Sequence, residues 1–299
     1  MRAVFEGVFS AILTPMDADE RVDEAELRNQ VDRMVEAGLH GIAALGTNGE
    51  FYALDMDEKT RVLEVVVEQT GGRVPVIAGT GCITTKETVC LSKSAKAIGV
   101  DGLFVVAPYY ASVSQDELGD HYKTVATTVA LPLIAYNIPS RTVNRLEPGT
   151  VGRLSEVDNV VGVKDTSGDF SNTLAYIEEG GPDLAVYAGN DSLILWTLMA
   201  GGAGAVSGLS NVIPEAIVRI YELWRQGDVE GAKLAQRSII PLRNCLKLAN
   251  PNSVTKRAAN LIGQRVGPSR RPAVACSLSI DRKLTGVIEM MRRSGLLVP

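Results

Sequence analysis

Lys164 ends the run Val160-Val161-Gly162-Val163-Lys164-Asp165, where small apolar residues predict a buried strand. An ammonium at the tip of such a strand is desolvated, which pushes its pKa down. A lysine able to shed its proton near neutral pH is a carbonyl nucleophile and forms Schiff bases. The plainer alternative is a strand-end lysine paired with Asp165 or Asp191. Tyr136 ends an earlier apolar run and offers a phenol to relay protons during carbinolamine formation. Arg141, just beyond it, offers a fork suited to a carboxylate. Gly46-Thr47-Asn48-Gly49-Glu50 sets two glycines around small polar residues, and reads equally as a backbone nest for a carboxylate or as a tight turn.

Repeating units must position these residues. Near-continuous apolar runs begin at Gly7, Gly41, Val74, Gly102, Pro132, Val160, Leu184 and Gly204, as expected of parallel strands covered on both faces. Helical patterns follow them: Asp23 to Ala37 ending at Gly38, Asp57 to Thr70 at Gly71, Thr84 to Ile98 at Gly99, and a helix opened by Pro214 that stops at Gly227. Eight such units predict an α/β fold, a (β/α)8 TIM barrel; an open doubly wound sheet fits less well without G-x-G-x-x-G. Beyond Gly227 the pattern is helical only: Asp228 to Ala249 kinked by Pro241, Ser253 to Leu261, and Leu278 to Arg293. This predicts a catalytic barrel over 1–226 and a helical appendage packed on it over 227–299. Barrel enzymes work at the C-terminal ends of their strands. Those ends carry Thr14, Thr47-Asn48, Thr80, Tyr109-Tyr110, Tyr136-Asn137, Lys164, Asn190-Asp191 and Ser207, and Lys164 is the one lysine in that set.

Of 299 residues, 45% are hydrophobic and 22% charged, the composition of a soluble globular protein. A net charge of −5 with no long run of either sign argues against nucleic-acid or anionic-membrane partners. Cys82, Cys90, Cys245 and Cys276 have no C-x-x-C spacing and suit a reducing cytoplasm. The N-terminal Met1-Arg2-Ala3-Val4-Phe5-Glu6 lacks the apolar stretch of a signal peptide. The uncharged window from Ser192 to Pro214 is rich in glycine and predicts a helix end followed by a strand rather than a membrane span. His40 and His121 lack metal-ligand spacing and read as structural.

Six segments together resemble the pyruvate-dependent class I aldolase family that includes dihydrodipicolinate synthase and N-acetylneuraminate lyase. They are Gly46-Thr47-Asn48-Gly49-Glu50, Pro108-Tyr109-Tyr110, Tyr136-Asn137-Ile138-Pro139-Ser140-Arg141-Thr142, Gly162-Val163-Lys164-Asp165, Ala188-Gly189-Asn190-Asp191 and Gly204-Ala205-Val206-Ser207. They stand in the family's order over almost the whole length. The resemblance implies Lys164 as the Schiff-base nucleophile for pyruvate and Tyr136 as its general acid/base. It implies a hydroxyl relay through Thr47 and Tyr110, with Tyr110 reaching into a neighbouring subunit. Thr47 and Asn48 would hold the pyruvate carboxylate, the backbone near Val206 would line the pyruvate pocket, and Arg141 would bind the carboxylate of the second substrate. No metal or other cofactor is implied, and the implied assembly is a homodimer at least, with a homotetramer the family's usual form.

The second substrate divides the family. Arg141 resembles the synthases that use aspartate semialdehyde, whereas Asn48 and the Lys164-Asp165-Thr166-Ser167-Gly168 run resemble aldolases of 2-keto-3-deoxy sugar acids or 4-hydroxy-2-oxoglutarate. A neuraminate-type lyase, a pyridoxal-phosphate lysine without a phosphate cup, and an inactive barrel fit less well. Phe51, Tyr52 and Ile83 depart from the synthases' lysine-inhibitor pocket although Glu87 remains, so weak or absent inhibition by L-lysine is expected.

Overall fold

A computed structural model describes residues 5–297. Residues 1–4, which open the N-terminal hexapeptide read above, and 298–299, at the end of the predicted helical segment, lie outside the described residues. Eight strands form the barrel: β1 (Gly7–Ala11), β2 (Gly41–Ala44), β3 (Val76–Gly79), β4 (Gly102–Val106), β5 (Leu133–Asn137), β6 (Val160–Asp165), β7 (Ala185–Ala188) and β8 (Gly204–Ser207). Each pairs in parallel with the next and β8 pairs with β1, so the sheet closes. Every strand residue is buried, the inner side chains by the barrel interior and the outer ones by helices. That two-sided burial is why the strands read as continuous apolar runs.

The outer layer comprises α1 (Glu24–Glu36), α2 (Met56–Thr70), α3 (Thr85–Ile98), α4 (Gln115–Val129), α5 (Pro139–Thr142), α6 (Pro148–Ser155), α7 (Phe170–Gly180), α8 (Ile194–Met199) and α9 (Pro214–Arg225). Side-chain caps start several of them. Asp23 accepts from Glu26 N on α1, and Asp55 and Ser114 form capping boxes with Glu58 and Glu117 on α2 and α4. Between Ser192 and Pro214 lie α8 and β8, the predicted helix end and strand, and among the described residues no helix is long and apolar enough to cross a membrane.

The tail holds α10 (Val229–Ser238), α11 (Ile240–Cys245), α12 (Pro251–Leu261) and α13 (Leu278–Arg293). Two expectations change here. Instead of one kinked helix from Asp228 to Ala249, the chain forms α10 and α11, because Pro241 lacks the N–H that a helix interior needs and sits in the first turn of a new helix. The next helix starts at Pro251 rather than Ser253, since the Asn250 side chain caps it by accepting from Asn252 N.

Both histidines are held inside the scaffold. His40 Nδ1 accepts from Val8 N at 3.2 Å beneath the barrel, and His121 on α4 pairs through Nδ1 with Thr85 Oγ1 at 2.9 Å. Burial pushes His121 down to about 4, and its Nε2 has no hydrogen-bond partner among the described residues. Between about pH 6.5 and 4 the unfolded chain therefore binds a proton at this site that the folded chain does not. Its contribution is full above about pH 6.5 and is lost as pH falls towards 4, by about 3 kcal/mol at most. His121→Gln should flatten the fall in stability over that window, measured by urea unfolding at successive pH values.

Candidate active site

Cross-strand register brings the lysine and the phenol together. Tyr136 on β5 is the register partner of Lys164 on β6, and both side chains enter the barrel mouth. Lys164 is 4% exposed, with Nζ 4.0 Å from the centre of the Tyr136 ring and 5.6 Å from that of Phe104. Tyr136 Oη lies 3.2 Å from Thr47 Oγ1, so the amine stands over a ring whose hydroxyl meets that of Thr47. Asp165 points the other way, as strand alternation requires. Its carboxylate is saturated by Asn137 Nδ2, Ser167 N and Oγ, Asn172 Nδ2 and Thr173 Oγ1 at 2.9–3.1 Å, and it forms no ion pair with Lys164. Asp191 does line the lysine's cavity, but its Oδ1 accepts from Ser207 Oγ at 2.5 Å. Burial pushes the Asp191 carboxyl up, against the Ser207 hydrogen bond and the charges of Arg243 and Lys164.

The cavity above Lys164 has a volume of about 310 Å³, and Thr47, Asn48, Tyr136, Arg141, Lys164 and Val206 all contribute to its wall. Asn48 leans over Gly208, where a Cβ would stand 2.4 Å from Asn48 Nδ2 and would push that amide aside. Arg141 is exposed on α5, and its guanidinium makes no hydrogen bond or ion pair among the described residues. Tyr110 is not on the cavity wall. It is 91% exposed beyond β4 and holds a left-handed backbone, φ 79°. Among the described residues, no group of three or more His, Cys, Asp or Glu side chains is arranged to hold a metal ion.

A family model described as the dihydrodipicolinate synthetase family matches residues 4–291. The chain belongs to that family. Its members are Schiff-base, pyruvate-dependent lyases, and this chain is an enzyme of that class. A 4-hydroxy-tetrahydrodipicolinate synthase of Methanopyrus kandleri is 40% identical over 269 residues, 89% of this chain and 90% of the relative. An uncharacterised DapA-like lyase of Halobacterium salinarum is also 40% identical, over 89% of this chain and 87% of the relative. The crystal structure of a chloride-inhibited dihydrodipicolinate synthase from Acinetobacter baumannii, complexed with pyruvate, superposes with a TM-score of 0.94 at 33% identity over 98% of this chain and all of that one.

In this member of the dihydrodipicolinate synthetase family the helical tail builds part of the site, which sequence reasoning missed. Asn252 on α12 lines the cavity and donates through Nδ2 to Thr47 O at 2.8 Å and to Tyr52 Oη at 3.0 Å. One turn on, Lys256 forms a 2.7 Å ion pair with Glu50, both side chains at most 1% exposed, and donates to Pro268 O at 2.8 Å. Arg270 N completes the cradle by donating to Glu50 Oε2 at 2.9 Å. Thr14 Oγ1 holds the loop from the barrel side by donating to Gly49 O at 2.8 Å. The Asn252–Lys256 spacing on one helix face was the available signal, but its partner loop lies some two hundred residues upstream. Lys256→Met leaves Glu50 buried without its cation, and should destabilise the fold by about 3–5 kcal/mol in urea unfolding. The double variant with Glu50→Gln should recover part of that loss.

Proposed function

We propose that the enzyme condenses pyruvate with aspartate semialdehyde, as a 4-hydroxy-tetrahydrodipicolinate synthase, with Lys164 as the nucleophile. The observation that carries the reading is the Lys164–Tyr136–Thr47 sequence of functional groups beneath a cavity bordered by the unpaired Arg141. Lys164 Nζ attacks the ketone of pyruvate and the carbinolamine loses water, with Tyr136 giving and taking the protons at the former carbonyl oxygen. The resulting iminium withdraws electrons from the adjacent methyl group, which loses a proton to Tyr136 and becomes an enamine. Its carbon attacks the aldehyde, whose oxygen takes up the proton; water then hydrolyses the imine and frees Lys164, and the released ketone closes onto the acceptor's amino group with loss of one water to give the ring. Thr47 passes protons onward from Tyr136, Asn48 and the Thr47 backbone hold the pyruvate carboxylate, Val206 closes the pyruvate side, and Arg141 takes the carboxylate of the aldehyde.

Tyr110, exposed on a strained turn, serves the cavity of a second copy in this reading, so the working assembly is at least a homodimer and a homotetramer by pairing of dimers. The barrel of residues 1–226 and the helical segment 227–299 act as one catalytic unit, since Asn252 reaches the Thr47 loop. A second reading, retro-aldol cleavage of a 2-keto-3-deoxy sugar acid, draws support from the amides and hydroxyls of Asn48, Thr166, Ser167 and Asn190 along the wall. Those groups suit a hydroxylated acceptor.

Borohydride added with pyruvate should leave a pyruvate-derived mass on Lys164, located by peptide mass spectrometry; an unmodified Lys164 would refute the chemistry. Lys164→Ala should lower kcat by at least about a thousandfold. L-Lysine at millimolar concentration should inhibit the condensation weakly or not at all. Glu87 Oε2 already accepts from Thr84 Oγ1 at 2.9 Å, and Ile83 beside it offers no polar group. A saturating inhibition curve would overturn this expectation.

A further inference from the structure

Arg243 plays no part in the chemistry above, yet it lines the same cavity as Lys164 and Arg141. It is half-buried on α11, and its Nε donates to Asn190 Oδ1 at 3.2 Å. The same oxygen accepts from Ser192 N at 3.1 Å, which anchors it to the turn after β7. One edge of the guanidinium is thereby fixed, while its two terminal nitrogens make no hydrogen bond or ion pair among the described residues. The acid whose titration feels Arg243 is Asp191, and that carboxyl is already engaged by Ser207. The support beneath is rigid: Gln236 on α10 donates to Asp191 O at 2.8 Å and accepts from Leu195 N at 2.9 Å.

Barrel order places the two arginines relative to the nucleophile. Arg141 follows β5 and Arg243 is tied to the turn after β7, so they flank β6 and Lys164 from either side. A planar fork fixed at one edge, with its other nitrogens available in a cavity, matches a carboxylate and loses little freedom on binding one.

We infer that Arg243 is a specificity-determining residue that, together with Arg141, grips the anionic group of the acceptor and makes the enzyme select acidic over neutral aldehydes. This deepens the function proposed above and rests on it. The acceptor class is an aldehyde carrying a carboxylate, held between two guanidinium groups while its carbonyl faces the enamine on Lys164.

The test uses the full-length enzyme with pyruvate, taking aspartate semialdehyde and glyoxylate as acidic acceptors and butanal as the neutral one. The quantity read is the ratio of kcat/KM for acidic over neutral acceptors. Arg243→Ala should lower that ratio by about tenfold or more, and Arg243→Lys, which keeps the charge without the fork, should fall between. The pyruvate adduct on Lys164 should still form in both variants. A ratio that falls less than about fivefold in Arg243→Ala, with the adduct intact, overturns the role of Arg243 alone. Loss of the adduct in Arg243→Ala overturns it too, by making the residue a support for the nucleophile. An absent adduct in the unsubstituted enzyme instead defeats the Schiff-base assignment of Lys164 on which the inference stands.

Discussion

The register between β5 and β6 decides what Lys164 faces. Leu133 pairs with Val160, but Ile134 pairs with Gly162, so β6 carries one extra residue near its start. Without that bulge, Tyr136 would stand level with Val163, and the alternation of β6 would bring an aliphatic side chain beside the phenol. With it, Tyr136 and Lys164 are partners, and the amine lies over the ring. The next pair outward, Asn137 and Asp165, joins the other face, where Asn137 Nδ2 donates to Asp165. One inserted residue thus separates a reactive face, with a lysine among aromatic rings, from a structural face with a saturated carboxylate.

That separation matters because the barrel interior handles charge in two opposite ways. Lys256 and Glu50 are both deeply buried, and they neutralise each other while backbone groups satisfy what remains. Burial holds Lys256 below the ordinary lysine value, and Glu50 opposes that shift. Such a pair gives little net stability, but it ties one loop in one arrangement, because moving either partner strands a charge. Lys164 is buried without an ion pair among the described residues, and aromatic faces take the place of an acid. The first lysine holds the Thr47 loop still, and the second is the one proposed to attack a carbonyl.

Periodicity made the barrel legible because two-sided burial leaves an unbroken apolar signature on every strand. Lys164 stood out for the same reason, as a charge ending such a run. The break at Pro241 was visible as a proline but not as two helices, because the sequence does not show whether neighbouring packing will tolerate a bend. Asn252, Lys256 and Arg243 were not assigned to the site from the sequence, although Asn252 and Lys256 share a helix face. Their partners Thr47, Glu50 and Asn190 lie far away along the chain, and only closure of the barrel with the tail folded over its mouth brings them within hydrogen-bonding distance.

The two sides of the cavity are therefore built under different constraints. The side proposed for pyruvate stands on strands, where backbone pairing and close packing leave almost no latitude: a Cβ on Gly189 would meet Thr166 Oγ1 at 1.9 Å and Lys164 Cε at 3.0 Å. The side proposed for the acceptor stands on α5 and α11, short helices outside the sheet, where Arg141 is exposed and Arg243 is tethered by one hydrogen bond. A substitution on the first side displaces Lys164, whereas one on the second leaves the strands in place.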